Sequence, residues 1–247
     1  SLEAFSTPMP FSHNGRDEIV IVGGDCLTGH DPKTGKELWR WGTWNPSRIG
    51  HWRLVPSPVS GKGVLLACGP KGAPVFAIKA GAKGDVREDK SSIAWHSEGR
   101  RDQITSDVST PLFYQGNFYV LYGEGRDKIL SCVDPKSGKV KWAADLESRS
   151  LFRGSPTGAD GKLYVQNHAG TVHVIDAKSG KVLHKTNMGD PGDDQTRATI
   201  PVAHGSLFNA KDGRTRPHEA EQRDARNGKL HRGTQAGDCL LYTSPSP

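Results

Sequence analysis

Short apolar runs bounded by turn residues recur along the chain. The pattern is plainest between Gly161 and His184, where residues 163–167, 171–175 and 181–184 read as strands. His168-Ala169-Gly170 closes one hairpin and Asp176-Ala177-Lys178-Ser179-Gly180 the next. Apolar residues alternate with polar ones at a period of two, as on a half-buried strand. No apolar run is long enough to cross a membrane.

The second of those turns is repeated. Asp31-Pro32-Lys33-Thr34-Gly35-Lys36 leads into Trp39, Asp134-Pro135-Lys136-Ser137-Gly138-Lys139 into Trp142, and Asp176 to Lys181 into His184, which stands where the others have Trp. A degraded copy runs from Phe76 through a longer loop, residues 80–92, to Trp95. The residue choice has a local cause. An Asp carboxylate accepts backbone N–H groups two residues on, Pro presets φ, and Gly takes the left-handed conformation that returns the chain as the next strand. The aromatic that follows offers a broad surface for packing on a neighbouring unit.

A second marker keeps the same beat. Pro10, Pro58, Pro111 and Pro156 each stand five residues before Gly15, Gly63, Gly116 and Gly161, and Ile200 takes the proline place before Gly205. The steps between those glycines are 48, 53, 45 and 44 residues. A period of about 40–50 residues with four short strands is that of a propeller blade, a unit that cannot bury its own faces and needs neighbours. The blades fall at about residues 6–41, 57–97, 109–144 and 154–187, with another starting at 199–208. Connectors fill residues 42–55, 98–107, 146–153 and 188–197.

Beyond Phe208 the alternation stops. Residues 209–247 read as an irregular tail, and the truncated fifth unit together with the final Cys239 to Pro247 points to a non-native extension, from a frameshift or read-through. The chain opens Ser1-Leu2-Glu3, which implies a removed targeting segment or an internal fragment.

Composition adds little that the pattern has not said. Thirty Gly and sixteen Pro in 247 residues suit dense turns, and a net charge of +6 permits anionic partners without requiring them. Basic residues are dispersed with no interleaved aromatic stripe, which gives nucleic-acid binding no footing. Cys68 and Cys132 lie in apolar runs, as buried inert thiols do.

The repeated Asp-x-Lys-Ser/Thr-Gly-Lys-x-x-Trp turn resembles the PQQ-like β-propeller repeat, a family that includes quinoprotein dehydrogenases and the outer-membrane protein assembly factor BamB. The resemblance covers about residues 6–208. It implies an all-β, partial propeller of four-stranded antiparallel blades, four in number plus the start of a fifth, with further blades needed for ring closure. It implies blade-docking roles for Trp39, Trp95 and Trp142, and an extracytoplasmic setting in the periplasm or cell envelope. Quinoprotein enzymes of this fold carry a vicinal Cys-Cys pair against the quinone and Glu, Asn and Asp around calcium. The four cysteines here are never adjacent, so neither PQQ nor calcium is expected. A non-catalytic scaffold for a protein partner or envelope component is the leading reading. A fragment of a PQQ-dependent oxidoreductase and a small-ligand or glycan binder at the channel rim are the alternatives.

Candidate site residues lie just before each first strand, at the mouth of the central channel. Aligning Ser57, Thr110, Ser155 and Thr199 places Arg153 and Arg197 in register, with Asp107 and Arg53 slightly upstream and His51 beside them. Guanidinium forks there suit a carboxylate, a phosphate or an acidic peptide, and they equally suit bonds between blades. Weaker signals are Asp190, Asp193 and Asp194 as hard oxygen ligands and the Cys26–His30 gap, which lacks two further ligands.

Overall fold

The computed structural model describes residues 2–42, 45, 50–87, 89–188, 196–203, 206–209, 221–224 and 230–232. Among them there is no α-helix, only a 3-10 turn at Lys90–Ser92, and no helix long and apolar enough to cross a membrane.

The strands form a series of antiparallel sheets, each running innermost to outermost in chain order. The first holds Met9–His13, Arg16–Gly23, Cys26–His30 and Glu37–Trp41; the second Val59–Gly61, Val64–Cys68, Val75–Lys79 and Ile93–His96. The third holds Leu112–Tyr114, Asn117–Tyr122, Ile129–Val133 and Val140–Asp145; the fourth Thr157–Ala159, Lys162–Gln166, Thr171–Asp176 and Val182–Asn187. Val202–Ala203 and Ser206–Asn209 begin a fifth. This is the partial propeller that the repeats predict.

The markers have their expected jobs. Asn14-Gly15, Lys62-Gly63, Gln115-Gly116 and Asp160-Gly161 all have positive φ at both places, the two-residue type I′ turn that joins each first strand to its second. In the Asp-to-Gly turns, Asp31 Oδ1 accepts from the Lys33 and Thr34 N–H groups, Asp134 Oδ1 from Lys136 and Ser137, and Asp176 Oδ1 from Ser179. The Ser179 hydroxyl first at Asp176, and the backbone N–H groups first at Asp31 and Asp134 with the Thr34 and Ser137 hydroxyls after them, hold all three carboxyls below the usual carboxylate range. The Gly N–H then closes back on the Asp carbonyl at 2.9 Å in each copy.

Each apolar cluster spans two neighbouring sheets. One joins Val20 and Trp39 to Leu65 and Ile78, the next Leu66 and Trp95 to Phe118 and Val120, and a third Leu121 and Leu130 to Leu163 and Ile175. No sheet buries its faces alone.

Two features depart from the sequence reading. The degraded turn in the second unit is a strap: Gly84–Asp85 pairs in parallel with Trp39 and Arg40, adding a fifth strand to the outer edge of the first sheet. Beyond Phe208, where no regular structure was expected, Glu221–Asp224 and Leu230–Arg232 complete a four-stranded fifth sheet. A β-ladder is built from backbone groups, so a stretch without apolar alternation such as Glu221-Gln222-Arg223-Asp224 still pairs once a neighbour offers an edge.

Candidate functional site

Connectors and the loops between second and third strands share one end of the blades. Asn45 N donates to Asp25 Oδ1 at 2.7 Å, Thr105 Oγ1 to the Ala73 carbonyl at 2.7 Å, Phe152 N to Gly123 at 3.1 Å and Met188 N to Gly170 at 2.9 Å. The type I′ hairpins share the other end with the Asp-to-Gly turns and, in the second sheet, with the loop that replaces that turn, as the 2.9 Å bonds Ala177 N to Gly161 O and Ala80 N to Gly63 O show. All five rim candidates therefore sit at the connector end.

The register that aligned the candidates is a physical one. Thr7 N donates to Ser57 Oγ at 2.9 Å, and Ser57 N to Thr110 Oγ1, Thr110 N to Ser155 Oγ and Ser155 N to Thr199 Oγ1 at 3.0 Å each. A ladder of hydroxyls thus steps from blade to blade beneath the rim.

Arg153 is half-buried, and its guanidinium grips Glu124 at 2.5 and 3.3 Å, tying the third connector to a loop of the sheet it leaves. Glu124, with help from the nearby Asp107 charge, holds Arg153 in its charged form. Asp107 also accepts the Gly72 N–H at 3.3 Å, so Asp107, Arg153 and Glu124 form one charged group across neighbouring blades. Arg53 is drawn elsewhere, to Glu3 at 3.2 Å, where Leu2–Ala4 pairs in parallel with Trp52–Leu54. That pair is exposed and contributes little stability. His51 is exposed with φ +55, and Arg197 is exposed at the next rung of the register. Asp190, Asp193 and Asp194 lie outside the described residues.

Glu124 and Glu3 were missed from sequence because neither belongs to a repeated motif. The loop position of Glu124, between the second and third strands, was the available signal.

The docking indoles behave in two ways. Trp95 Nε1 donates to the Pro135 carbonyl at 2.8 Å and Trp142 Nε1 to the Ala177 carbonyl at 3.3 Å, the same place in the turn of the following blade. Each ring lies where a Cβ on the turn glycine would stand: Trp95 2.7 Å from that point at Gly138, Trp142 2.6 Å at Gly180. Trp39 packs in the cluster between the first two sheets, but its N–H goes to Glu18 of its own sheet. The second blade lacks an Asp-to-Gly turn to receive it. Tyr119 OH adds a bond to Ala177 O at 3.0 Å.

Among the described residues no two cysteines are adjacent. Cys26, Cys68 and Cys132 lie on different sheets, and burial pushes the Cys68 thiol up to about 12. No three His, Cys, Asp or Glu side chains converge among the described residues in a way that would hold a metal ion.

Solved structures resemble this arc at low identity. BamB from Moraxella catarrhalis matches with a TM-score of 0.57 at 13% identity, over 87% of this chain and 56% of that one. Quinohemoprotein alcohol dehydrogenase from Comamonas testosteroni matches with 0.66 at 15%, over 94% and 42%. Raptor from Chaetomium thermophilum matches with 0.61 at 15%, over 90% and 20%. The chain thus spans about half the length of the first two or less, and likeness at such identity shows the fold alone. No curated protein matches. The family model described as outer membrane protein assembly factor BamB matches residues 23–235, most of the chain, and on that match the protein belongs to the BamB-like PQQ-propeller family.

Proposed function

We propose that the chain is a non-catalytic propeller scaffold of the bacterial cell envelope that holds a protein partner or another envelope component at its connector end. The observation that carries this reading is the family match over residues 23–235, whose description names outer-membrane protein assembly. The rim supports it. Asp107 and Arg153 are fixed by bonds from their connectors to Gly72 and Glu124 in blade loops, which presents charge on a rigid frame and suits docking. Capture from envelope extracts, with an unrelated propeller as control, tests it. A partner enriched by the wild-type chain and lost from Arg153→Ala with Arg197→Ala supports the rim. A profile unchanged by those substitutions, with folding intact, removes it.

The fold likeness to an alcohol dehydrogenase favours a second reading, a fragment of a PQQ-dependent oxidoreductase. Dye reduction on alcohols and aldose sugars after addition of PQQ and calcium tests that reading. Turnover above the protein-free control would replace the scaffold.

A further inference from the structure

The first sheet shows how an outer edge of this propeller is covered. Gly84–Asp85 lies parallel to its outermost strand with Gly84 opposite Trp39 and Asp85 opposite Arg40, and Val86 N donates to the Arg40 carbonyl at 2.9 Å. At the place nine residues past the turn Asp, the backbone groups therefore point away from the sheet. Asp85 places an acidic charge beside the Arg40 cation, while the space around Gly84 is open.

The fourth sheet has the same edge and, among the described residues, no such strap. Its outermost strand, Val182–Asn187, has no strand beyond it among the described residues. Nine residues past Asp176 stands Lys185, the counterpart of Arg40 nine past Asp31, and His184 takes the place of Trp39. Both strands carry the same β-bulge, at Gly29/His30 and at Val174/Ile175, which confirms the register. Leu183 is 48% exposed, and Lys178 and Lys181 are exposed in the adjoining turn. Lys185 already meets a carboxylate from outside its strand, the exposed Glu147, at 3.2 Å. The third sheet has Ala143 at that place and lacks the cation.

We propose that residues 182–185 take up an extended acidic segment of a partner protein as an added parallel strand, with an acidic residue opposite Lys185. Main-chain bonds supply the attachment, and the lysines select for acid. This deepens the scaffold reading and rests on it, at a surface separate from the rim.

The test uses the full chain and a labelled peptide with the sequence of residues 82–89, Ala-Lys-Gly-Asp-Val-Arg-Glu-Asp, read by fluorescence anisotropy. Saturable binding is expected. Lys185→Glu weakens it about tenfold, and Glu147→Gln, which removes the competing carboxylate, tightens it. Hydrogen exchange locates the peptide: slowed amides at Leu183 and Lys185 support the proposal. Slowing at Arg40 instead, equal affinity for Lys185→Glu, or no binding at all overturns it. None of those three results touches capture at the rim, so the two readings fail separately.

Discussion

In the third sheet the second strand, Asn117–Tyr122, is buried continuously from Phe118 to Leu121. The strand at the same place in the first sheet, Arg16–Gly23, alternates instead: Glu18, Val20 and Val22 are buried, Ile19 and Ile21 only half so. Val120 and Ile19 occupy the same position, four residues past the hairpin glycine, yet Val120 is 0% exposed. The third sheet lies between neighbours, with its clusters shared on both sides, whereas the described residues cover the first sheet on the side of the second alone. A blade's core is therefore a property of its neighbours as much as of its own sequence.

The largest effect that sharpens this contrast is Trp95→Ala. It removes the indole from Gly138 and the bond to Pro135, and is expected to cost about 3–5 kcal/mol in denaturant unfolding. A cost below about 1 kcal/mol would mean that sheets do not depend on docked indoles.

Next comes His173, fully buried in the fourth sheet where the third has Ser131. Burial, and then the Lys185 charge, lower its pKa from 6.5 to about 4. A depressed histidine binds its proton in the unfolded chain first, so stability is lost as pH falls from about 6.5 towards 4, by roughly 3 kcal/mol. Melting temperature against pH should fall across that window, and His173→Ser should flatten the slope. An unchanged slope would show that the ring is solvated.

Val120→Ala is expected to cost about 2 kcal/mol and Ile19→Ala less, although isoleucine is the larger side chain. Equal or reversed costs would show that the outward face of the first sheet is covered after all. The smallest effect belongs to the exposed turns. Asp134→Asn should remove a slight stabilisation that is present above about pH 4 and lost below it, because hydrogen bonds depress the native carboxyl. A titration of Asp134 followed by NMR checks the direction.

The turns and hairpins were legible because their chemistry is local: Asp31 and Thr34, or Asn14 and Gly15, act within a few residues. The hydroxyl register was legible as an alignment, while its bonds were not. Long-range partners were hidden for the same reason. Nothing in Arg153 names Glu124, and nothing in Trp39 announces that its N–H turns back to Glu18 when the neighbouring turn has become a strap. Periodicity reveals which residues are equivalent, and only packing reveals what each one meets.

The hydroxyl ladder has a direction. In every rung the amide comes first in the chain and its acceptor follows, 50, 53, 45 and 44 residues later. As the polypeptide leaves the ribosome, the innermost amide of each blade waits for the next blade to be made before water is replaced. Each rung can therefore form only once the following period has been made, so a chain stopped within one period leaves its last rung unmade.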